Sequence, residues 1–342
     1  MTDELQSYYH INKESYQKLQ KHFEHYALES VAIYSKDILF FTLVWVYGEK
    51  AGTVKIAKYD KNADEQWQEV HISHYEGHKL GIDFSRNEIL ASASQDGWVN
   101  NGTHYFLHPI NMSLNTYQYP GQKHKRDGSL FQGFVFDEFK TIDKKLFALG
   151  GGATWIIKRE NTGDWSSIST KGLPTKVSSQ NNIRISTHVW AFDAFSQEDI
   201  YTCGDDGNLW HFNGKEWRRI DIPTLAKLVA VVCVIKGRII IFEKQGVFWI
   251  GEGNKWIKGG KLPTFEVYCA TFFDNKIWVG TKLGSYILDL DDPKKQDFQE
   301  LEVMPHGFSF FHDNGDLLVL GDGHRVTIYD KKTQEFEPFV SW

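Results

Sequence analysis

Residues Gln197–Ile220 read QEDIYTCGDDGNLWHFNGKEWRRI, and the fold of the whole chain follows from how this stretch is parsed. Ile200-Tyr201-Thr202-Cys203 is a short apolar run behind Asp199. Gly204 to Gly207 is a tight turn in which glycine reaches positive φ without steric cost. Asn208 to Phe212 alternates in character, Asn213-Gly214 is a hairpin signal, and Trp217 opens a third run. With the run Val189–Phe195 ahead of it, the stretch predicts a four-stranded antiparallel meander. A sheet of this kind has two apolar faces and needs neighbours like itself to bury both.

The neighbours follow at even spacing. Ile239, Gly246 and Trp256 repeat the seven- and ten-residue intervals that separate Ile200, Gly207 and Trp217. Ile277 and Gly284 repeat the first interval, and Leu317 anchors a further copy whose glycine, Gly323, falls one position early. The anchors Ile200, Ile239, Ile277 and Leu317 lie 39, 38 and 40 residues apart. A fixed period near forty with four strand-like runs per repeat predicts a β-propeller. Weaker copies near Leu39, Ile89 and Leu146 are 50 to 57 residues apart and carry insertions. The expected fold is all-β: a seven-bladed β-propeller with an N-terminal helix, six or eight blades being the alternatives.

The helix is expected over residues 3–27, with Asn12 as a cap and Tyr16, Leu19, Phe23 and Tyr26 at helical spacing. The domain reading is a helical segment over 1–29 and the propeller over 30–342. Glu335–Val340 is expected as the outer strand of the last blade, so that the ring closes by packing that blade on the first. Aromatic residues make up 15% of the chain, which suits sheets packed face to face. No apolar run reaches the length of a membrane span, and no secretory signal opens the chain, so a cytoplasmic location without membrane contact is expected. Cys203, Cys233 and Cys269 sit in apolar runs as buried thiols of a reducing compartment. A net charge of −6 disfavours a nucleic-acid binder.

Three connections between blades look long: His71–Lys79, Pro120–Leu130 and Lys171–His188. In a propeller every such connection emerges on one face, and long loops on a rigid scaffold are where binding resides. The candidate partner-binding residues are His71, His74, Tyr75, His78, Tyr119, Lys123, Lys125, Arg126, Asn181, Asn182 and Arg184. They combine amphipathic anchors, charge donors and adaptable hydrogen-bonding groups. The HxxHxxxH spacing of His71, His74 and His78 is too loose for a metal site, and no metal or other cofactor is expected. Asp205-Asp206 lacks the DxDxDG order of a calcium loop and reads as turn chemistry. SQDGW at 94–98 occurs once, Gly150-Gly151-Gly152 lacks a following helix and lysine, and no G-x-S-x-G elbow exists, so no catalytic residue is assigned.

DIYTCGDDGNLWHFNGKEW and KIWVGTKLGSYILDLDD resemble the propeller repeats of bacterial sensor proteins, over the last four blades. The WD dipeptide of WD repeats is absent. By architecture alone the chain also resembles the propeller-type immunity proteins encoded beside interbacterial toxins, which implies occlusion of a cognate toxin's active site by a non-enzymatic partner that is monomeric before it binds. A sugar hydrolase or lyase using the channel is the rival, and would need convergent carboxylates among Asp83, Asp137, Glu138 and Asp193. A multi-partner scaffold is a third reading.

Overall fold

The computed structural model describes residues 21–47, 53–72, 76–94, 103–110, 112–118, 136–150, 156–161, 164–169, 171–172, 189–235, 237–290, 297–302 and 307–341. Among them the strands form seven four-stranded antiparallel sheets, each a meander of consecutive strands. Blade one is β1 (Tyr26–Ser35), β2 (Ile38–Trp45), β3 (Val54–Asp60) and β4 (Trp67–Ile72). Blade two is β5 (Glu76–Asp83), β6 (Glu88–Ser94), β7 (Thr103–Leu107) and β8 (Leu114–Gln118). Blade three is β9 (Phe136–Ile142), β10 (Lys145–Gly150), β11 (Ile156–Asn161) and β12 (Asp164–Ser167). Blade four is β13 (Val189–Ser196), β14 (Asp199–Gly204), β15 (Leu209–Phe212) and β16 (Trp217–Arg219). Blade five is β17 (Leu228–Ile235), β18 (Arg238–Glu243), β19 (Val247–Glu252) and β20 (Lys255–Lys261). Blade six is β21 (Val267–Phe273), β22 (Lys276–Thr281), β23 (Ser285–Asp289) and β24 (Gln299–Glu300). Blade seven is β25 (Phe310–Asp313), β26 (Leu317–Asp322), β27 (Arg325–Asp330) and β28 (Glu335–Ser341).

The second strand of each later blade explains the spacing in the sequence. β14, β18, β22 and β26 are buried on both faces almost throughout. A strand in the middle of a blade is covered by a neighbouring sheet on either side, so it reads as a continuous apolar run rather than an alternating one. The anchors Ile200, Ile239 and Ile277 are fully buried, and Leu317 nearly so.

The expected N-terminal helix is corrected. Among the described residues, α-helix is confined to 21–23, and the other helical turn is a short 3₁₀ segment at Asp205–Gly207. His25 adopts φ 70°, a left-handed conformation that ends the turn. From Tyr26 onward the chain is already β1, with Tyr26 opposite Trp45 in the ladder. The aromatic spacing that suggested a helical face has another cause here, since Phe23 is buried in the core between the first and last blades. Asn12, Tyr16 and Leu19 lie outside the described residues.

The ring closes without strand exchange. β28 pairs with β27 inside blade seven, and every strand of blade one comes from residues 26–72. The two blades meet through one hydrophobic cluster that includes Phe23, Val31, Phe41, Val319 and Val326. Phe339 is the extra residue of a bulge in β28, between Pro338 and Val340, which face Thr327 and Val326. A bulge re-aims a side chain, and this one stacks Phe339 on Phe41 at 5.6 Å and sets it 5.0 Å from Tyr59. Phe23 meets Phe41 and Trp67 edge-on at 5.6 and 5.5 Å. Two backbone donors of blade one complete the seam: the Leu28 N–H donates to the Gly323 carbonyl at 2.9 Å, and the Ile33 N–H to His312 Nδ1 at 3.3 Å. Burial holds His312 down to about 4, so its ring is neutral and able to accept.

The innermost strands present free edges to the channel, and an unpaired backbone group there needs a partner. Side chains of adjoining blades supply several. Leu80 N–H donates to Ser30 Oγ, Phe192 N–H to Glu138 Oε2 and Cys233 N–H to Asp193 Oδ2, at 3.2, 3.0 and 2.8 Å. Thr141 Oγ1 donates to the Ile82 carbonyl at 2.7 Å.

Candidate functional site

The chain passes from the outermost strand of one blade to the innermost strand of the next on a single face, called here the upper face. The turns between second and third strands lie on it as well. Its loops over blades four to six are built from a repeated pattern. Ile222-Pro223-Thr224-Leu225 leads into β17, and Leu262-Pro263-Thr264-Phe265 leads into β21. In both, the threonine N–H donates two residues back, to the carbonyls of Ile222 and Leu262, at 2.8 Å. In both, the threonine hydroxyl accepts two residues on, from the N–H of Ala226 at 3.1 Å and of Glu266 at 3.2 Å. Such turns leave the residue after threonine at the apex. That residue is apolar each time and points outward: Leu225 is 82% exposed and Phe265 56%.

Glycine turns hold these loops in place. Gly207 has φ +64°, and a Cβ there would stand 2.0 Å from the Thr224 carbonyl oxygen. Its N–H donates to the Ala226 carbonyl at 3.0 Å, which stitches blade four to the loop that opens blade five. One blade on, a Cβ at Gly246 would meet Thr264 Cγ2 at 2.9 Å, and the Gly246 carbonyl accepts the Leu262 N–H at 2.9 Å. The Val267 N–H donates to the Lys244 carbonyl at 2.8 Å.

Further apolar groups continue the arc. Leu283, in the β22–β23 turn, is 51% exposed. The β13–β14, β17–β18 and β21–β22 ladders each shift register near the upper end, at Val189/Ala191, Leu228/Ala230 and Val267/Cys269. The shifts leave Trp190, Val229 and Tyr268 as extra residues at matching positions, and all three line the upper mouth of the channel. Trp190 and Tyr268 are exposed. Lys227 Nζ lies 3.3 Å from the centre of the Trp190 ring, whose Nε1–H donates to Asp205 at 2.7 Å. Glu266 is shared by Lys244 at 3.0 Å and Lys282 at 3.7 Å. The Lys244 bond holds the Glu266 carboxyl below its ordinary value.

The channel below holds cavities of about 180 and 260 Å³. Several of its ionisable groups are committed to the frame. Asp193 accepts the Cys233 N–H and pairs with Lys140 at 2.7 Å. Burial opposes charge on Lys140, but Asp193 and Glu138 outweigh it and raise the ammonium to about 12. Burial pushes the Glu138 carboxyl up to about 7. Asp83 is held between blades two and three by Arg159 at 3.4 Å and Ser85 at 2.6 Å. The side chain of Asp137 lies outside the described residues. Burial raises the thiols of Cys203, Cys233 and Cys269 above their ordinary range, which makes them poor nucleophiles. Among the described residues no group of three His, Cys, Asp or Glu side chains is arranged to hold a metal, and no helix is long and apolar enough to cross a membrane.

The loop expected at His71–Lys79 is corrected. His71 belongs to β4, opposite Lys55, and His78 lies within β5, so only residues 73–75 separate the two strands. His74, Tyr75, Tyr119, Lys123, Lys125, Arg126, Asn181, Asn182 and Arg184 lie outside the described residues. The start of the third connection is fixed to blade four: the Lys171 carbonyl accepts the Trp217 N–H at 2.8 Å, and Ser169 O accepts Trp217 Nε1–H at 2.9 Å. Leu225, Phe265 and Leu283 carry no expectation from the sequence reading. The signal for Leu225 and Phe265 is the Pro-Thr pair recurring before β17 and β21, which Pro174-Thr175 repeats ahead of β13.

Comparison with known proteins places this geometry among propellers. No protein-family model matches the chain. Over 161 residues it is 26% identical to the immune protein Tsi7 of Pseudomonas aeruginosa, a match that covers 46% of this chain and 50% of that protein. The chain thus spans about half the length of the curated relative it matches. Among solved structures it is similar to Saccharomyces cerevisiae Sqt1 (TM-score 0.58, 9% identity, 93% of this chain and 86% of that one). It is also similar to the WD40 β-propeller domain of Doa1 (TM-score 0.57, 11% identity, 87% and 90%). At such identities the likeness is one of fold.

Proposed function

We propose that this chain is a non-enzymatic protein-binding propeller of the immunity type, which neutralises a cognate bacterial toxin in the cytoplasm by covering its active site. The observation that carries the reading is the arc of Leu225, Phe265 and Leu283. Three large apolar side chains more than half exposed, two of them on turns stitched to the neighbouring blade, form a preorganised contact surface rather than tolerated loop residues. The 26% identity to a protein named as an immune protein supports the same reading. The connections at Pro120–Leu130 and Lys171–His188, with Tyr119, Lys123, Lys125, Arg126, Asn181, Asn182 and Arg184, extend the contact over the same face on this proposal. The proposal also takes in His71, His74, Tyr75 and His78, from the stretch of sequence that joins blades one and two. The channel's Asp193 and Glu138 cap backbone donors, which favours binding over sugar hydrolysis.

The test is co-expression with the product of each adjacent gene, the one that arrests growth being the cognate toxin on this proposal. Growth should be rescued by the parent chain and lost with Leu225→Ser/Phe265→Ser, while the purified variant keeps its melting temperature. Full rescue by that folded variant would move the contact elsewhere.

A further inference from the structure

The chemistry of the partner segment can be read from the charges around the arc. The chain is acidic as a whole, at −6, yet its upper face over blades five and six is not. There Lys227, Lys244, Lys261 and Lys282 surround Leu225, Phe265 and Leu283. Of the opposing groups, Glu266 is already divided between two lysines, Glu243 is buried and accepts Trp249 Nε1–H at 2.8 Å, and Glu300 and Glu302 are at the outer rim, at and after the end of β24. Asp206 and Asp221 are on the blade-four side, as is Asp205, which stands 3.9 Å from Lys227. Lys244 and Lys282 keep 41% and 51% of their side-chain surface open, so each can take a second carboxylate while it holds Glu266. Lys282 also lies over the Phe265 ring, 5.3 Å from its centre, so cation and apolar anchor present one composite surface.

We propose that the arc of Leu225, Phe265 and Leu283 receives a segment of a partner protein in which apolar side chains alternate with carboxylates. The apolar groups pack on the arc, and the carboxylates meet Lys244 and Lys282, with Lys227 at the channel mouth. This rests on the protein-binding reading above and specifies its chemistry. Lysines left open beside apolar anchors favour an acidic contact segment over a basic one.

A synthetic peptide, acetyl-Asp-Leu-Glu-Phe-Asp-Leu-amide, serves as probe, with its all-lysine counterpart as control. The acidic peptide should bind with amide shifts confined to the loops of Leu225, Lys244, Phe265 and Leu283. Its affinity should weaken roughly three- to tenfold between 50 and 300 mM salt, because the lysines are exposed and screened. Lys244→Glu/Lys282→Glu should weaken it at least about tenfold, the loss expected when like charges replace an attractive pair. Equal binding of the lysine peptide, shifts elsewhere, or no binding at all would overturn the proposal. So would tighter binding of a 20-base-pair DNA duplex to the same loops, or sedimentation showing a dimer that buries them. If Leu225→Ser/Phe265→Ser abolishes binding to the toxin but Lys244→Glu/Lys282→Glu leaves it intact, the acidic-segment proposal falls and the protein-binding reading stands.

Discussion

The seam between blades seven and one and the seams between blades four, five and six solve the same problem with different materials. The later seams join sheets that are consecutive in the chain. Each is filled by an apolar cluster, around Tyr201, Val231 and Ile241 between blades four and five and around Phe242, Phe248 and Val279 between blades five and six, and each adds a glycine turn under a Pro-Thr loop and one or two backbone hydrogen bonds. The closing seam joins sheets at opposite ends of the described chain. It has no connecting loop to draw on and gathers four aromatic rings, Phe23, Phe41, Trp67 and Phe339, against one another. A covalent connection already holds consecutive blades near one another, so less of the contact there is needed to offset the entropy of docking. Where no connection exists, contact itself must offset the entropy of bringing the ends together.

Cutting into the closing seam should therefore cost most. Phe41 is fully buried and touches both Phe23 and Phe339. Phe41→Ala is expected to lower stability by about 3–5 kcal/mol, the usual range for a buried phenylalanine, in equilibrium urea unfolding. A loss below about 1 kcal/mol would mean that the ring does not depend on this seam. Gly207→Ala tests the other kind. The positive φ and the 2.0 Å approach to the Thr224 carbonyl both oppose a Cβ, and a loss of about 1–3 kcal/mol is expected. An unchanged midpoint would show that the Pro-Thr loop can lift away at no cost.

A smaller, pH-dependent effect separates the edge caps from both. Glu138 titrates at about 7 in the folded chain, against an ordinary value of 4.5. Between those values the native state holds a proton that the unfolded chain lacks, so this group's contribution falls as pH rises from about 4.5 to about 7. Lys140 on its own strand, Asp193 on blade four and Lys79 on blade two also face it. Glu138→Gln should flatten that part of the stability profile, and parallel profiles for variant and parent would rule out the assignment. The smallest effect on stability is expected from Leu225→Ser/Phe265→Ser, within about 0.5 kcal/mol per site. If these two carry binding, each should weaken a partner's affinity by about 2 kcal/mol. A large stability loss instead would make them seam residues.

The comparison also shows what was legible beforehand. Strands buried on both faces announce themselves as apolar runs, and their even recurrence at Ile200, Ile239, Ile277 and Leu317 marked the later blades. Strand ends do not announce themselves. His71 and Lys79 look like loop residues because they are polar, yet each sits in a ladder, opposite Lys55 and Ser92, whose other members supply the burial. Tertiary pairing likewise decided Tyr26, whose helical spacing to Phe23 carried no weight against a strand partner at Trp45. The arc was missed for a different reason. Leu225 and Phe265 are single apolar residues in short loops, with no periodicity of their own. Only alignment of one blade's lead-in with the next brings out the shared Pro-Thr pair.

Because each blade draws its four strands from one unbroken stretch of chain, the ring has an order of assembly written into it. During synthesis a blade can complete its own hydrogen-bond ladders as soon as its last strand leaves the ribosome, and can dock on the one before. Nothing is on loan to a segment not yet made. Only the closing seam must wait, since Phe41 and Phe339, which meet in it, are translated almost three hundred positions apart. Until then the growing molecule is an open arc with blade one's aromatic face uncovered. The last step of folding is thus a single docking event, and it is the step at which a chaperone that shields aromatic surface would act.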